Sequence, residues 1–254
     1  MANKLQLPTV TLVAATSVNV AATVAALREC QSKVRFGECL LLTDADADVP
    51  ASITVRMIAP LRSVDDYCRF MLTELRDHIA TDHVMVCQWD GFVVDPTAWD
   101  DDFLQFDYIG APWPQFTDGH DVGNGGFSLR SRRLLDALQA PDMIITSPED
   151  VAIGRLNRER LERDHGLRFA DTDTASRFSF ERCAPTVPSF GFHGAFNLIP
   201  ILGADRFWSL YRSLNERGAV RHDTRLIMKQ LVGTPAARRR QLTLIVDRLK
   251  GFLR

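Results

Sequence analysis

Four short apolar runs precede residue 90: Val10–Ala15 (VTLVAA), Glu38–Thr43 (ECLLLT), Ile53–Ile58 (ITVRMI) and His83–Gln88 (HVMVCQ). The first is nearly continuous rather than alternating, the pattern of a strand buried on both faces, and the others read as further strands. The segments that follow the first and third have helical spacing instead. Asn19 is expected to cap a helix over Val20–Cys30, with Val20, Val24 and Leu27 on one face. Ser63, with Asp66 three residues on, starts a second helix, in which Tyr67, Phe70, Met71, Glu74 and Leu75 keep helical spacing to about Ile79. Strand, helix, strand, strand, helix, strand predicts an α/β fold with a mostly parallel, Rossmann-like sheet flanked by helices.

The texture changes after Asp90. Residues 95–125 hold three prolines, four glycines and two tryptophans, Trp99 and Trp113. A long irregular stretch inside a domain usually carries function. Helices are expected over Ser131–Leu138 and Pro148–Asp164, and residues 171–197 read as irregular again. The rest reads as helical, with Pro235 parting Arg221–Val232 from Arg239–Phe252. The expected organisation is one domain over 1–218 and a helical C-terminal extension over 219–254.

Charge marks that extension. The chain as a whole is at −2, which excludes a nucleic-acid partner drawn in by net charge. From Arg221 onward, nine Lys/Arg oppose only Asp223 and Asp247, leaving this segment at +7 and everything before it at −9. Leu242, Leu244, Ile245, Leu249, Phe252 and Leu253 give its last part an apolar side. Two readings are open: a terminal helix packed on the domain, or a helix lying on an anionic membrane. The five cysteines form no C-x-x-C pair, and Cys30, Cys39 and Cys87 lie in apolar or strand-like stretches. With no signal pattern in MANKLQLPTV and no apolar run of the ~18 residues a spanning helix needs, the expectation is a cytoplasmic protein, at most peripheral to the inner face of the membrane.

Four local features bear on chemistry. Gln88-Trp89-Asp90-Gly91 closes the fourth apolar run, and ligands of open α/β sheets bind outside the carboxyl ends of strands. Asp90 is therefore either a metal-binding carboxylate or part of a plain Asp-Gly turn. Gly123-Asn124-Gly125-Gly126 lacks the spacing of a phosphate-binding or dinucleotide loop and suits close backbone approach to a ligand, or a tight turn. Glu149 and Asp150 begin a helix, where they can favour its dipole or accept a proton from a substrate. His193 sits in the Gly-aromatic loop FGFHG, as a ligand or as an ordinary satisfied histidine.

In order along the chain, QWDGFVVDP, YIGAPW, GNGGFSLRS, PEDV and FGFHG resemble the signature of nucleotide-sugar glycosyltransferases of the GT-A fold. The nearest resemblance is to a bacterial family labelled as a domain of unknown function, and it runs from about Thr9 to Leu198. It implies that Asp90 matches the last acid of a D-x-D motif, Gly125 and Gly126 a glycine loop, Asp150 an x-E-D aspartate and His193 a C-terminal histidine. It also implies a nucleoside-diphosphate sugar as donor, a bacterial surface glycan or lipid-linked precursor as acceptor, and inversion with Asp150 as general base beside Glu149. Asp90 and His193 would hold Mn²⁺ or Mg²⁺. The sequence departs from the pattern at Gln88, neutral where the first acid of D-x-D belongs, which leaves a metal-independent enzyme open.

Thr16 and Ser17 after the first strand, and Asp44 and Asp46 after the second, are candidates for the base and ribose, or simply turn residues. Arg62 and Arg69 are candidates for the diphosphate. Trp113, Phe116 and Asn124 border the acceptor side, where the aromatics either stack on a sugar or are buried in packing. Two other functions fit parts of the pattern. A nucleotidyltransferase would carry a basic glycine-rich loop early in the chain, and Thr11–Val20 has no Gly, Lys or Arg. A catalytically inactive nucleotide- or sugar-binding module is favoured by Gln88 and opposed by intact Asp90, Asp150 and His193.

Overall fold

The computed structural model describes residues 4–250, which group into two compact units, Met1–His193 and Gly194–Arg254. The stretch expected as a tail from 219 belongs to the second unit. The first unit opens with β1 (Leu5–Ala15), α1 (Val20–Lys33), β2 (Val34–Thr43), β3 (Thr54–Met57), α2 (Val64–Thr73) and β4 (His83–Cys87). Each element falls where the apolar runs and helical periods put it. Ser63 caps α2 by accepting the Asp66 N–H at 3.0 Å. Asn19 starts α1 differently from expectation: it takes a left-handed φ of 54°, and its side chain makes no capping bond.

Short elements follow. β5 (Phe92–Val93), β6 (Tyr108–Ile109), β7 (Phe127–Ser131), α3 (Arg132–Ala137) and the single turn α4 (Glu149–Val151) lead to α5 (Arg158–His165), α6 (Thr172–Phe178), β8 (Ser179–Phe180) and β9 (Gly191–Phe192). The main sheet has the order β3-β2-β1-β4-β7-β6, parallel from β3 through β4, with β7 antiparallel to both of its neighbours. The mixed α/β, mostly parallel sheet is as the sequence predicts.

One face of the sheet carries Val13, Leu40, Leu42, Val84 and Val86 against Phe70, Met71, Leu75 and Ile79. Burying each such side chain contributes roughly 1.5–3 kcal/mol. A second cluster joins Tyr108, Leu134, Leu138, Ile153 and Leu161 beneath the last helices.

The helix expected over Pro148–Asp164 is interrupted. α4 passes into a π-helical turn over Ala152–Leu156 before α5 begins. Asn157, fully buried, explains the break: its side chain receives the Ile144 N–H at 2.9 Å and donates to the carbonyls of Ile144 and Ala152 at 2.9 and 3.0 Å. Residues 171–197, expected to be irregular, hold α6, β8 and β9, and the two strands join β5 in a second sheet of order β5-β9-β8. Phe127, Phe178 and Phe190 pack beside it with ring centroids 5.5–6.1 Å apart.

The second unit is helical: α7 (Leu198–Leu202), α8 (Ala204–Ser213), a 3₁₀ turn at Arg217–Val220, α9 (Thr224–Gln230) and α10 (Ala237–Lys250). Phe252, Leu253 and Arg254, counted with the apolar and basic tail, lie outside the described residues. No described helix is long and apolar enough to cross a membrane.

Candidate functional site

Register places the site. β4 ends at Cys87, directly opposite Phe127 at the start of antiparallel β7, so the glycine stretch enters the sheet at the edge where Gln88 leaves it. The pairing runs one step further, with the Gln88 N–H donating to the Gly126 carbonyl at 3.0 Å. The small sheet completes the arrangement. Phe92 pairs with Phe192 and Phe180 with Phe192, which sets Asp90, His193 and Glu181 beside one another from three distant parts of the chain.

His193 lies between two carboxylates. Its Nε2 is 3.4 Å from Asp90 Oδ1 and its Nδ1 is 3.6 Å from Glu181 Oε1. Nε2 is also 3.2 Å from Gln88 Oε1, while the Gln88 amide donates to the Tyr67 hydroxyl at 2.9 Å. Burial alone would depress the imidazolium; Asp90 and Glu181 outweigh it and push the pKa up to about 10. Glu181 in turn accepts from Asn124 Nδ2 at 2.7 Å. Asn124, with φ 50°, is the residue of this loop in the left-handed region.

Glu149 and Asp150 meet the other side of the same loop. Arg130, on β7 and fully buried, donates to Glu149 Oε1 at 3.1 Å, to the Gly125 carbonyl at 3.3 Å and to Ser128 Oγ at 3.1 Å. Glu149, 5% exposed, is thus occupied by a guanidinium. Asp150 is half-buried and accepts two backbone N–H groups, from Gly125 at 3.2 Å and Val151 at 2.8 Å. Burial and the neighbouring Glu149 charge raise its pKa above the usual carboxylate value. Both carboxylates thereby do more than begin a helix.

The glycines are required for space. None of Gly123, Gly125 and Gly126 has a φ in the left-handed region. A Cβ on Gly126 would overlap His193 Nε2, one on Gly125 would overlap Glu149 Oε1, and one on Gly123 would overlap the Trp113 ring. The loop approaches the protein's own polar side chains as closely as it was expected to approach a ligand. Trp113, named for the acceptor side, is buried against Gly123 and Gly154 and meets Phe116 edge-on at 5.7 Å.

Thr16 and Asp44 stand apart from this cluster, at the carboxyl ends of β1 and β2, one and two strands from β4. Thr16 is tied to the neighbouring strand through its N–H, which donates to the Leu42 carbonyl at 2.9 Å. Arg62 and Arg69 are exposed, and Arg69 lines an open cavity of about 370 Å³ with Asp65, Asp66, Ile145, Thr146 and Ser147. Arg130 and Glu181 were not singled out by the sequence. Glu181 lies in the stretch read as irregular, and Arg130 sits in an apolar strand without a nearby acid in sequence.

Asp90 Oδ1 is buried without a hydrogen-bond partner, and it converges with His193 Nε2 and Gln88 Oε1. Two oxygens that each lie within 3.4 Å of one imidazole nitrogen are a donor set for Mn²⁺ or Mg²⁺ once that imidazole gives up its proton. Among the described residues, no group of three or more His, Cys, Asp or Glu is placed to hold a metal ion.

A family model described as a protein of unknown function (DUF5672) matches residues 52–193, which include both carboxylate clusters and the glycine loop. The chain belongs to this family. Among solved structures it is similar to the mannosyltransferase PcManGT from Pyrobaculum calidifontis in complex with GDP-Man and Mn²⁺, at 11% identity over 97% of this chain and 83% of that one, with a TM-score of 0.43. It is also similar to the apo-form glycosyltransferase GlyE of Streptococcus pneumoniae TIGR4, at 14% identity over 86% of this chain and 62% of that one, with a TM-score of 0.42. No curated protein matches the sequence.

Proposed function

We propose that this DUF5672 member is a glycosyltransferase of the GT-A type, moving a sugar from a nucleoside diphosphate to a hydroxyl of a glycan or lipid-linked acceptor. One observation carries the reading: a single glycine pair joins two carboxylate groups, with His193, the partner of Asp90, against Gly126 and Asp150 on the Gly125 N–H. Group transfer from a diphosphate needs such a division of labour, with one side receiving the leaving group and the other the incoming hydroxyl.

Asp150 accepts the proton of the acceptor hydroxyl during attack. Its raised pKa makes it a stronger base than a free carboxylate, and its two backbone N–H donors fix its direction. Placed opposite the leaving group, it gives inversion. Glu149 holds the turn through Arg130 rather than taking the proton itself. Asp90 and His193, with the Gln88 amide oxygen, would hold Mn²⁺ or Mg²⁺. A divalent ion there supplies positive charge to the departing diphosphate. Thr16 and Asp44 reach the nucleoside from the first two strand ends, Asn124 orders the loop on the Asp90 side through Glu181, and Trp113 props it from within. Gln88, neutral in this position, favours a second reading, a metal-independent enzyme of the same class.

A screen of nucleoside-diphosphate sugars for slow hydrolysis, with and without chelator, tests this. The wild-type protein should hydrolyse at least one donor and be stabilised by the matching diphosphate in a thermal melt. Asp150→Asn should lose roughly 10²–10⁴ in rate with the thermal shift retained. Wild-type turnover in this variant would overturn Asp150 as base, and activity insensitive to chelator would select the metal-independent reading.

A further inference from the structure

From Arg221 onward the second unit withdraws its acids and leaves several cations exposed. α10 turns Arg240, Leu244 and Asp247 inward: Arg240 pairs with Asp205 of α8, and Asp247 accepts from the Tyr211 hydroxyl at 2.8 Å and from Arg217 at 3.0 Å. Asp223, the other acid between 221 and 250, is buried. Both acids of the segment are therefore withdrawn from the surface. Of its cations Arg240 is buried with them, whereas Arg225, Lys229, Arg238 and Arg239 are exposed.

The outward face of α10 is also apolar. Leu242, Ile245, Val246 and Leu249 are 63%, 39%, 46% and 58% exposed, at the i, i+3, i+4, i+7 spacing of one helical stripe. The stripe is ~10 Å long at 1.5 Å per residue, and Arg238 and Arg239 begin it.

We infer that this face of α10 binds the surface of an anionic lipid bilayer, with the four aliphatic side chains at the acyl boundary and Arg238 and Arg239 at the headgroups. Charge complementarity selects that occupant. An aliphatic stripe that begins at two exposed arginines matches a plane that is negative outside and apolar within. Pairing of two copies through the same stripe with the helices parallel would set Arg238 and Arg239 against their own copies. The inference is independent of the catalytic reading.

The test uses the full chain in cosedimentation with vesicles of phosphatidylcholine alone or mixed with phosphatidylglycerol. The wild-type protein should bind only the anionic vesicles and be released as salt rises. Arg238→Gln/Arg239→Gln should weaken binding about fivefold per cation. Leu242→Ser/Leu249→Ser should weaken it at least as much, while Arg163→Gln, an exposed cation on α5, should leave it unchanged. Unaltered thermal melts of the variants certify folding. Equal binding to both vesicles, no binding at low salt, or unaffected binding by both double variants would overturn the inference. So would a lipid-free dimer abolished by Leu242→Ser/Leu249→Ser, which would assign the stripe to self-association.

Discussion

The two sides of the glycine pair are built from similar residues and reach different states. On one side, His193 lies between Asp90 and Glu181, and Asp90 Oδ1 and Asn124 Oδ1 are buried without hydrogen-bond partners. On the other, the Arg130 guanidinium is shared among Glu149, Gly125 and Ser128, with its Nη2 serving two acceptors. The first side keeps acceptor capacity in reserve; the second spends it on its own architecture. Glu149 and Asp150 are adjacent in sequence, yet the guanidinium claims one and leaves the other only backbone donors. A carboxylate's role is set here by which partner reaches it first in the fold.

That contrast can be broken most strongly at Arg130. Arg130→Met leaves the Glu149 charge buried and unpaired, and should cost about 3–5 kcal/mol of stability, read by chemical denaturation. Adding Glu149→Gln should recover most of the loss; no recovery would mean that the pair is not what closes this side. Gly126→Ala is the next largest. The added methyl displaces His193, and overpacking of this kind costs roughly 1–3 kcal/mol. Donor binding should fall together with stability, whereas Gly119→Ala, on an exposed loop, should leave donor binding intact.

The smallest effect sharpens the contrast through pH. A base acts when deprotonated, and the Asp150 carboxyl is raised by burial and by Glu149. Activity should therefore fall as pH drops through a value above the ordinary carboxylate range. In Glu149→Gln, which removes the neighbouring charge, that limb should move to lower pH. An unshifted limb would separate the titration from Asp150.

Much of this was legible in the sequence because local rules and tertiary structure agree. Continuous apolar runs gave parallel strands, Ser63 gave a cap, and Asp90 fell at a strand end. What was hidden depends on partners remote in the chain. Arg130 reads as a charge that ought to face water, and only Glu149, nineteen residues on, makes its burial tolerable. Glu181 is brought to His193 by a two-residue strand too short to leave a period. The π turn comes from Asn157 reaching back to Ile144, a side-chain bond that no propensity encodes. The glycines were recognised as marking close approach, but the groups that approach could not be named before Glu149 and His193 were placed.

The excursion from Trp113 to Asp121 is closed at its base, where Pro112 bridges Val122 and the Trp113 N–H donates to the Asp121 carbonyl at 2.7 Å. Its tip is held separately, by Arg155 stacked on Phe116 and paired with Asp118. Because the base is fastened before the chain reaches Gly123, the length of the tip has no leverage on the register that sets Gly126 against His193. Loop-closure entropy rises only slowly with added residues. Insertions at the exposed Gly119, which leave Phe116 and Asp118 on Arg155, should therefore alter the surface while Asp90 and Asp150 keep their spacing.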